Sequence, residues 1–199
     1  MNAAVDDKKR QEELYRGIWA ADPDYGTRWA DVIDTVEHRI LPHARRLSEY
    51  KDAPDVVDFG AGDGRFLLEL GRHGFKRALG VDLHTPDSRP NWVDWMQAPM
   101  WLAEPTGFDY VISTDALEHL PPSKVSRSLE NIAEAAPHGF LRISLVEDRY
   151  GTERGLHLHE SVFPSIEWLF YCAHAGIKVT SYKVYFGDDR KERALEVWF

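Results

Sequence analysis

The sequence predicts an α/β fold in which helices cover both faces of a mostly parallel sheet. Three observations carry the prediction. From Asp55 onward, short apolar runs alternate with helical patterns, the signature of parallel strands joined by crossover helices. The first of these strands, Val56–Phe59, runs straight into Gly60-Ala61-Gly62-Asp63-Gly64 and then into the apolar segment Phe66-Leu67-Leu68-Glu69-Leu70. Glycines at such a strand-to-helix turn permit positive φ and let a ligand approach the main chain closely. The second strand ends in Asp82, 20 residues after Gly62. That is the offset at which an acid meets a ribose hydroxyl in nucleotide-type folds.

Each element has its own signal. Residues 1–14 are charged and are expected to form a frayed start, followed by an aromatic segment with Tyr15, Trp19, Pro23 and Tyr25. Thr27 is placed to cap a helix with Trp29, Val32, Ile33, Val36 and Ile40 on one face and Pro42 near its end. Strand Val56–Phe59 precedes a helix at Arg65–Arg72, closed near Gly74. Strands follow at Ala78–Leu83, within Trp92–Gln97, and at Phe108–Ser113. Pro121-Pro122-Ser123 should open a helix carrying Val125, Leu129, Ile132 and Ala136. A strand at Phe140–Leu145 leads to a long loop, Val146–Pro164. Ser165 should cap the next helix, and Gly176 should close it. Two last strands, Lys178–Tyr185 and Arg193–Phe199, flank Gly187-Asp188-Asp189, which suits a hairpin.

Composition narrows the function classes. A chain of 199 residues with 43% hydrophobic residues reads as one soluble domain. The domain has an N-terminal helical segment over residues 1–50 and a ligand-binding part over 51–199. No apolar run reaches the roughly 18 residues that a membrane helix needs, so no membrane partner is expected. The N-terminus has neither a signal nor a transit pattern. The single cysteine, Cys172, lies in an apolar helix and reads as a core thiol in a reducing cytoplasm. A net charge of −9 disfavours a nucleic-acid clamp, because phosphate contacts need Lys and Arg.

The glycine spacing decides among nucleotide-type ligands. A dinucleotide fingerprint wants G-x-G-x-x-G, but Arg65 stands where the third glycine would be, and the pattern is G-x-G-x-G. Asp58, two residues before the first glycine, would repel a pyrophosphate and suits a cationic amino group. The stretch from Asp55 to Phe199 resembles the class I S-adenosylmethionine-dependent methyltransferases. The resemblance implies a Rossmann-like three-layer sandwich with a mostly parallel seven-stranded sheet and a terminal antiparallel hairpin. It implies S-adenosyl-L-methionine as cofactor. Asp58 would hold the methionine ammonium, and Gly60, Ala61, Gly62 and Gly64 would form the loop beneath ribose and methionine. Asp82 would accept from the ribose hydroxyls, with Leu83 beside it. At the end of the third strand the resemblance implies an adenine contact, for which Gln97-Ala98 is preferred and Asp94 is the alternative. Asp115 would see the methionine end.

The acceptor side is less determined. Ser113-Thr114-Asp115-Ala116-Leu117-Glu118-His119-Leu120 resembles the loop that borders the transferring methyl in this family. His157 is expected to border the acceptor pocket as a general base, with His119 as a second catalytic candidate, because imidazole titrates near neutrality. The expected reaction moves a methyl group to an O or N of a small-molecule or sugar- or nucleotide-like acceptor, without a metal. The resemblance also leaves open an enzyme acting on RNA or protein. In that case a divalent metal could sit on Asp115, Glu118 and His119 with His157 or His159, since carboxylate plus imidazole suits Mg, Mn or Zn. A SAM-binding protein that does not methylate is the remaining reading. The Asn-Pro-Pro-aromatic motif of amino-methylating DNA enzymes is absent, with Ser113-Thr114-Asp115-Ala116 in its place.

Overall fold

In the computed structural model the described residues are 3–22, 29–46, 54–86 and 89–199. Seven strands among them form one sheet in the order β3-β2-β1-β4-β5-β7-β6. They are β1 Val56–Phe59, β2 Ala78–Asp82, β3 Val93–Gln97, β4 Tyr110–Thr114, β5 His138–Ser144, β6 Ser181–Phe186 and β7 Glu192–Trp198. β3, β2, β1, β4 and β5 are parallel, and β7 runs antiparallel between β5 and β6. The Rossmann-like sheet and its terminal hairpin are therefore present. The order reverses between β1 and β4. Open α/β sheets bind ligands beyond the carboxyl ends of the strands at that switch point.

Strand β1 shows why both faces are covered. Val57 and Phe59 point into a core closed by the helices α5 Pro122–Ala135 and α7 Ser165–His174, with Leu129, Ile132, Trp168 and Cys172 fully buried. Val56 points the other way, into a second core with Phe66, Leu67 and Leu70 of α4 Arg65–Arg72 and with Val32, Val36 and Ile40. By the two-residue period of a strand, Asp58 also faces this second core.

Three elements depart from the pattern read in the sequence. The charged start is helical: α1 spans Ala3–Ala21, and Gln11 and Ile18 are buried. The next helix has Pro42 near its end, as expected, but is interrupted by a wider turn. It runs as α2 Trp29–Thr35, a π turn Val36–Ile40 and α3 Leu41–Arg46. The Leu41 amide donates to the Val36 carbonyl, a five-residue step. Proline lacks an N–H and crowds the preceding turn, so a widened turn just before Pro42 lets the helix continue. The loop after β5 contains a short helix, α6 Arg149–Thr152, whose cap Asp148 accepts from the Gly151 amide. Proline, not serine, precedes two of the helices: Pro121 and Pro164 occupy the cap positions of α5 and α7, and the Ser165 hydroxyl donates to Glu192 instead. Thr27, Pro23 and Tyr25 lie outside the described residues.

Candidate active site

A cavity of about 500 Å³ opens at the switch point, above the carboxyl ends of β1, β2 and β4. Its floor is the loop after β1. Gly60, Gly62 and Gly64 have φ of 81°, 56° and 81°, the left-handed region that only glycine enters at low cost. Gly60 is also confined by space: a Cβ there would stand 2.3 Å from the Cβ of Ala116 in the loop after β4. The Gly60 and Ala61 amides donate to the Val81 carbonyl at 2.8 and 3.2 Å, which ties the loop to β2. At Gly62 an added Cβ would meet nothing within 4 Å, so the main chain there faces open space along the cavity wall.

Asp82 closes this half of the site. Its carboxylate accepts from the Gly62 amide at 2.9 Å and from the His84 amide at 3.1 Å. Burial pushes its carboxyl up to about 6, against the pull of those amides. Asp58 lies behind the loop, 1% exposed, and its Oδ1 has no hydrogen-bond partner among the described residues. Burial, then the charges of Asp82 and Asp63, hold its carboxyl well above the usual carboxylate range. A buried carboxylate without a partner is costly, and a cationic amino group reaching it would remove that cost. The donor set therefore fits the cofactor that the family implies. Ala61, Asp82, Leu83 and Ala98 line the cavity, whereas Gly64 caps α4 and faces Trp95. Gln97 and Asp94 are exposed and lie outside the lining, and the Gln97 amide donates to the Leu83 carbonyl at 3.1 Å. Met100 and Trp101, in a 3₁₀ turn after β3, supply apolar wall on that side.

The other half is built from distant segments. Asp115 follows β4 directly with φ 50°, a strained value for a residue with a side chain, and lines the cavity. Its amide donates to the Arg142 carbonyl at 2.9 Å, and its Oδ1 lies 3.6 Å from the Arg142 guanidinium. Burial raises its carboxyl, while Arg142 and then His159 pull it back. His119 lines the cavity in the 3₁₀ turn Leu117–His119. Burial, reinforced by His159, pushes its imidazole down to about 3, so the ring is neutral at physiological pH. Its Nδ1 lies 2.6 Å from the Tyr15 hydroxyl and 3.0 Å from the Leu158 carbonyl. Gln11 donates to the His119 carbonyl at 2.9 Å. Gln11 and Tyr15, one turn apart on α1, both line the cavity.

One assignment shifts. His157, expected at the acceptor pocket, is exposed and outside the cavity lining. The histidine brought to the site is His159, its ring centroid 4.6 Å from that of His119 at 85°. His157 is exposed whereas His159 is half-buried against His119, so the chain around 157–159 does not keep both imidazoles on the side of the cavity. Gln11 was not singled out in the sequence. The one available signal was its spacing with Tyr15 and Ile18 on one helical face, which the surrounding charges obscured.

Residues 31–182 match the model of the methyltransferase-domain family. The chain belongs to that family. It carries a methyltransferase domain, and its sheet is that of solved methyltransferases. A 1,6-didemethyltoxoflavin-N1-methyltransferase from Burkholderia thailandensis, solved with 1,6-didemethyltoxoflavin and S-adenosylhomocysteine, superposes with a TM-score of 0.67 at 18% identity. The superposition covers 100% of this chain and 90% of that one. Magnesium protoporphyrin IX methyltransferase from Synechocystis, with bound S-adenosylhomocysteine, gives 0.60 at 17% identity over 96% and 99% of the two chains. Among curated proteins, EEF1A lysine methyltransferase 2 of Danio rerio is 34% identical over 76 residues, 37% of this chain and 29% of that protein. No helix of the described residues is long and apolar enough to cross a membrane.

Proposed function

We propose that this methyltransferase holds S-adenosylmethionine along the Gly60–Asp82 wall and methylates an O or N of a small-molecule or sugar- or nucleotide-like acceptor at the Asp115–His119 wall. The observation that carries the reading is Asp58, a buried carboxylate with an unpartnered oxygen behind a glycine loop that exposes main chain to the cavity. When bound, the cofactor supplies an electrophilic methyl on a sulfonium. The protein's part is then alignment and exclusion of water, which together account for up to roughly 7–11 kcal/mol of barrier lowering. Asp58 answers the cationic amino group. Asp82 accepts from the ribose hydroxyls while keeping Gly62 in place. Met100 and Trp101 wall the adenine side, joined by Ala98. Asp115 is the titratable group of the acceptor wall, tuned between burial and Arg142. His119, held neutral, orients an acceptor by hydrogen bonding.

Coverage of the cavity by Gln11 and Tyr15 favours an acceptor small enough to fit beneath α1. The likeness to a lysine methyltransferase supports a second reading, in which a protein side chain enters from the same side. Calorimetry with S-adenosylhomocysteine tests the cofactor half, with micromolar affinity expected and none for NAD. Transfer of labelled methyl to the small-molecule or the protein fraction of an extract separates the two acceptor readings.

A further inference from the structure

We infer that Glu118, His119 and His159 form a binding site for one divalent transition-metal ion at the edge of the cavity. A carboxylate oxygen of Glu118 and one ring nitrogen of each histidine lie within 4.8 Å of one another. Ligands bound at about 2.0–2.2 Å sit somewhat closer than that, so a modest contraction of three side chains completes the set. Two further features distinguish this cluster from a chance meeting of polar groups.

The first is Glu118. The residue is fully buried, and Oε1 accepts from the Ser144 amide at 3.0 Å. Oε2 has no hydrogen-bond partner among the described residues. The side chain is thus anchored by one oxygen while the other is left for a ligand. The second is how the imidazoles are held. His159 Nδ1 lies 2.5 Å from the Val146 carbonyl, and His119 Nδ1 lies 3.0 Å from the Leu158 carbonyl. A carbonyl only accepts, so His159 carries hydrogen on Nδ1 and keeps the Nε2 lone pair, and His119 does the same with its Nδ1–H shared between the Leu158 carbonyl and the Tyr15 hydroxyl 2.6 Å away. Backbone carbonyls on the far nitrogen are the usual means of fixing metal-binding imidazoles. Two imidazoles and one carboxylate suit Zn, Mn, Fe(II) or Co and leave coordination positions open. Because His119 is also cavity wall, the ion would stand at the acceptor side. That placement rests on the methyltransferase reading, whereas metal binding itself does not.

The test is a binding measurement on the full chain, stripped with a chelator and titrated with Zn(II) by calorimetry and with Co(II) by visible absorption. One equivalent is expected to bind, with a d–d band for Co(II). His159→Ala is expected to weaken binding at least about tenfold, and Glu118→Gln, which keeps the acceptor for Ser144, to do the same. His157→Ala serves as control and should bind as the parent does. Circular dichroism identifies any variant that fails to fold, and Glu118→Gln then stands in for the harsher change. Absence of binding at millimolar metal overturns the inference. So does binding that survives both His159→Ala and Glu118→Gln in folded protein. Binding of S-adenosylhomocysteine to the stripped chain is read separately, so a failure of the metal site and a failure of the cofactor reading are distinguishable.

Discussion

The two walls of the cavity are built by different rules. The proposed cofactor wall is local: Asp58, the glycine loop and Asp82 fall within 25 residues, and main-chain conformation does most of the work. The proposed acceptor wall is assembled across the chain. Tyr15 meets His119 from 104 residues away, and His119 meets the Leu158 carbonyl from 39 residues away. A wall made of backbone has few acceptable sequences, whereas one made of converging side chains can be rebuilt without disturbing the sheet. One fold can thereby keep a cofactor and change its acceptor.

The comparison breaks most sharply at Gly60. Gly60→Val should destabilise the fold by about 3 kcal/mol and abolish S-adenosylhomocysteine binding. It forces a branched side chain to positive φ and into Ala116. Urea denaturation and calorimetry check both effects. Gly62→Ala, where space is open, should fold with a smaller loss.

Asp82→Ala comes next. It should weaken S-adenosylhomocysteine by roughly 1.5–3 kcal/mol, the range for hydrogen bonds to a charged group. An unchanged dissociation constant would reduce Asp82 to a loop anchor for Gly62. The same carboxyl sets a pH dependence. Its value is raised in the fold from 3.8 to about 6, so its contribution to stability is full below pH 3.8 and is lost as pH rises through 6. Affinity for the cofactor runs the other way, because ribose hydroxyls are best accepted by the ionised form. Affinity should climb from pH 5 to 7.5, and Asp82→Asn should flatten much of that climb in calorimetric titrations.

Tyr15→Phe probes the acceptor wall. Loss of the hydroxyl beside His119 should cost about 1 kcal/mol in chemical denaturation and leave the dissociation constant for S-adenosylhomocysteine unchanged. A large loss of cofactor affinity would mean that the two walls are not separable. The smallest effect is expected for His157→Ala, within about 0.5 kcal/mol in stability, since the side chain is exposed. Turnover with the true acceptor should also persist, and a marked fall would return His157 to the site.

Legibility in the sequence followed the same division. β1, the glycine turn and β2 were readable because strand burial and positive φ each demand particular residue types at fixed places. The hairpin was readable from Gly187, whose amide donates to the Lys191 carbonyl. Pro42 stands near the end of its helix, as its place in the sequence implied, but nothing local announces the π turn before it. His157 and His159 could not be told apart, since α6 and its Asp148 cap turn the chain in a way that alternation alone does not reveal. Gln97 fell at the expected end of β3, but its side chain turns to the Leu83 carbonyl, a local partner that spacing cannot show.

The docking of α1 has a consequence for biosynthesis. Chains emerge from the ribosome N-terminus first, so α1 is made before everything it touches. Its partners, His119 and Glu160, are translated more than a hundred residues later. Through that interval the segment waits in water with Gln11 and Ile18 uncovered. Its composition suits the wait: Lys8–Glu12 and Lys9–Glu13 are i,i+4 pairs at 3.6 and 3.8 Å that support a helix with no tertiary partner and keep its outer face soluble. α1 thus cannot dock until the chain as far as His119 has been made, and a nascent chain stalled before that residue would leave Gln11 and Tyr15 without the wall they cover.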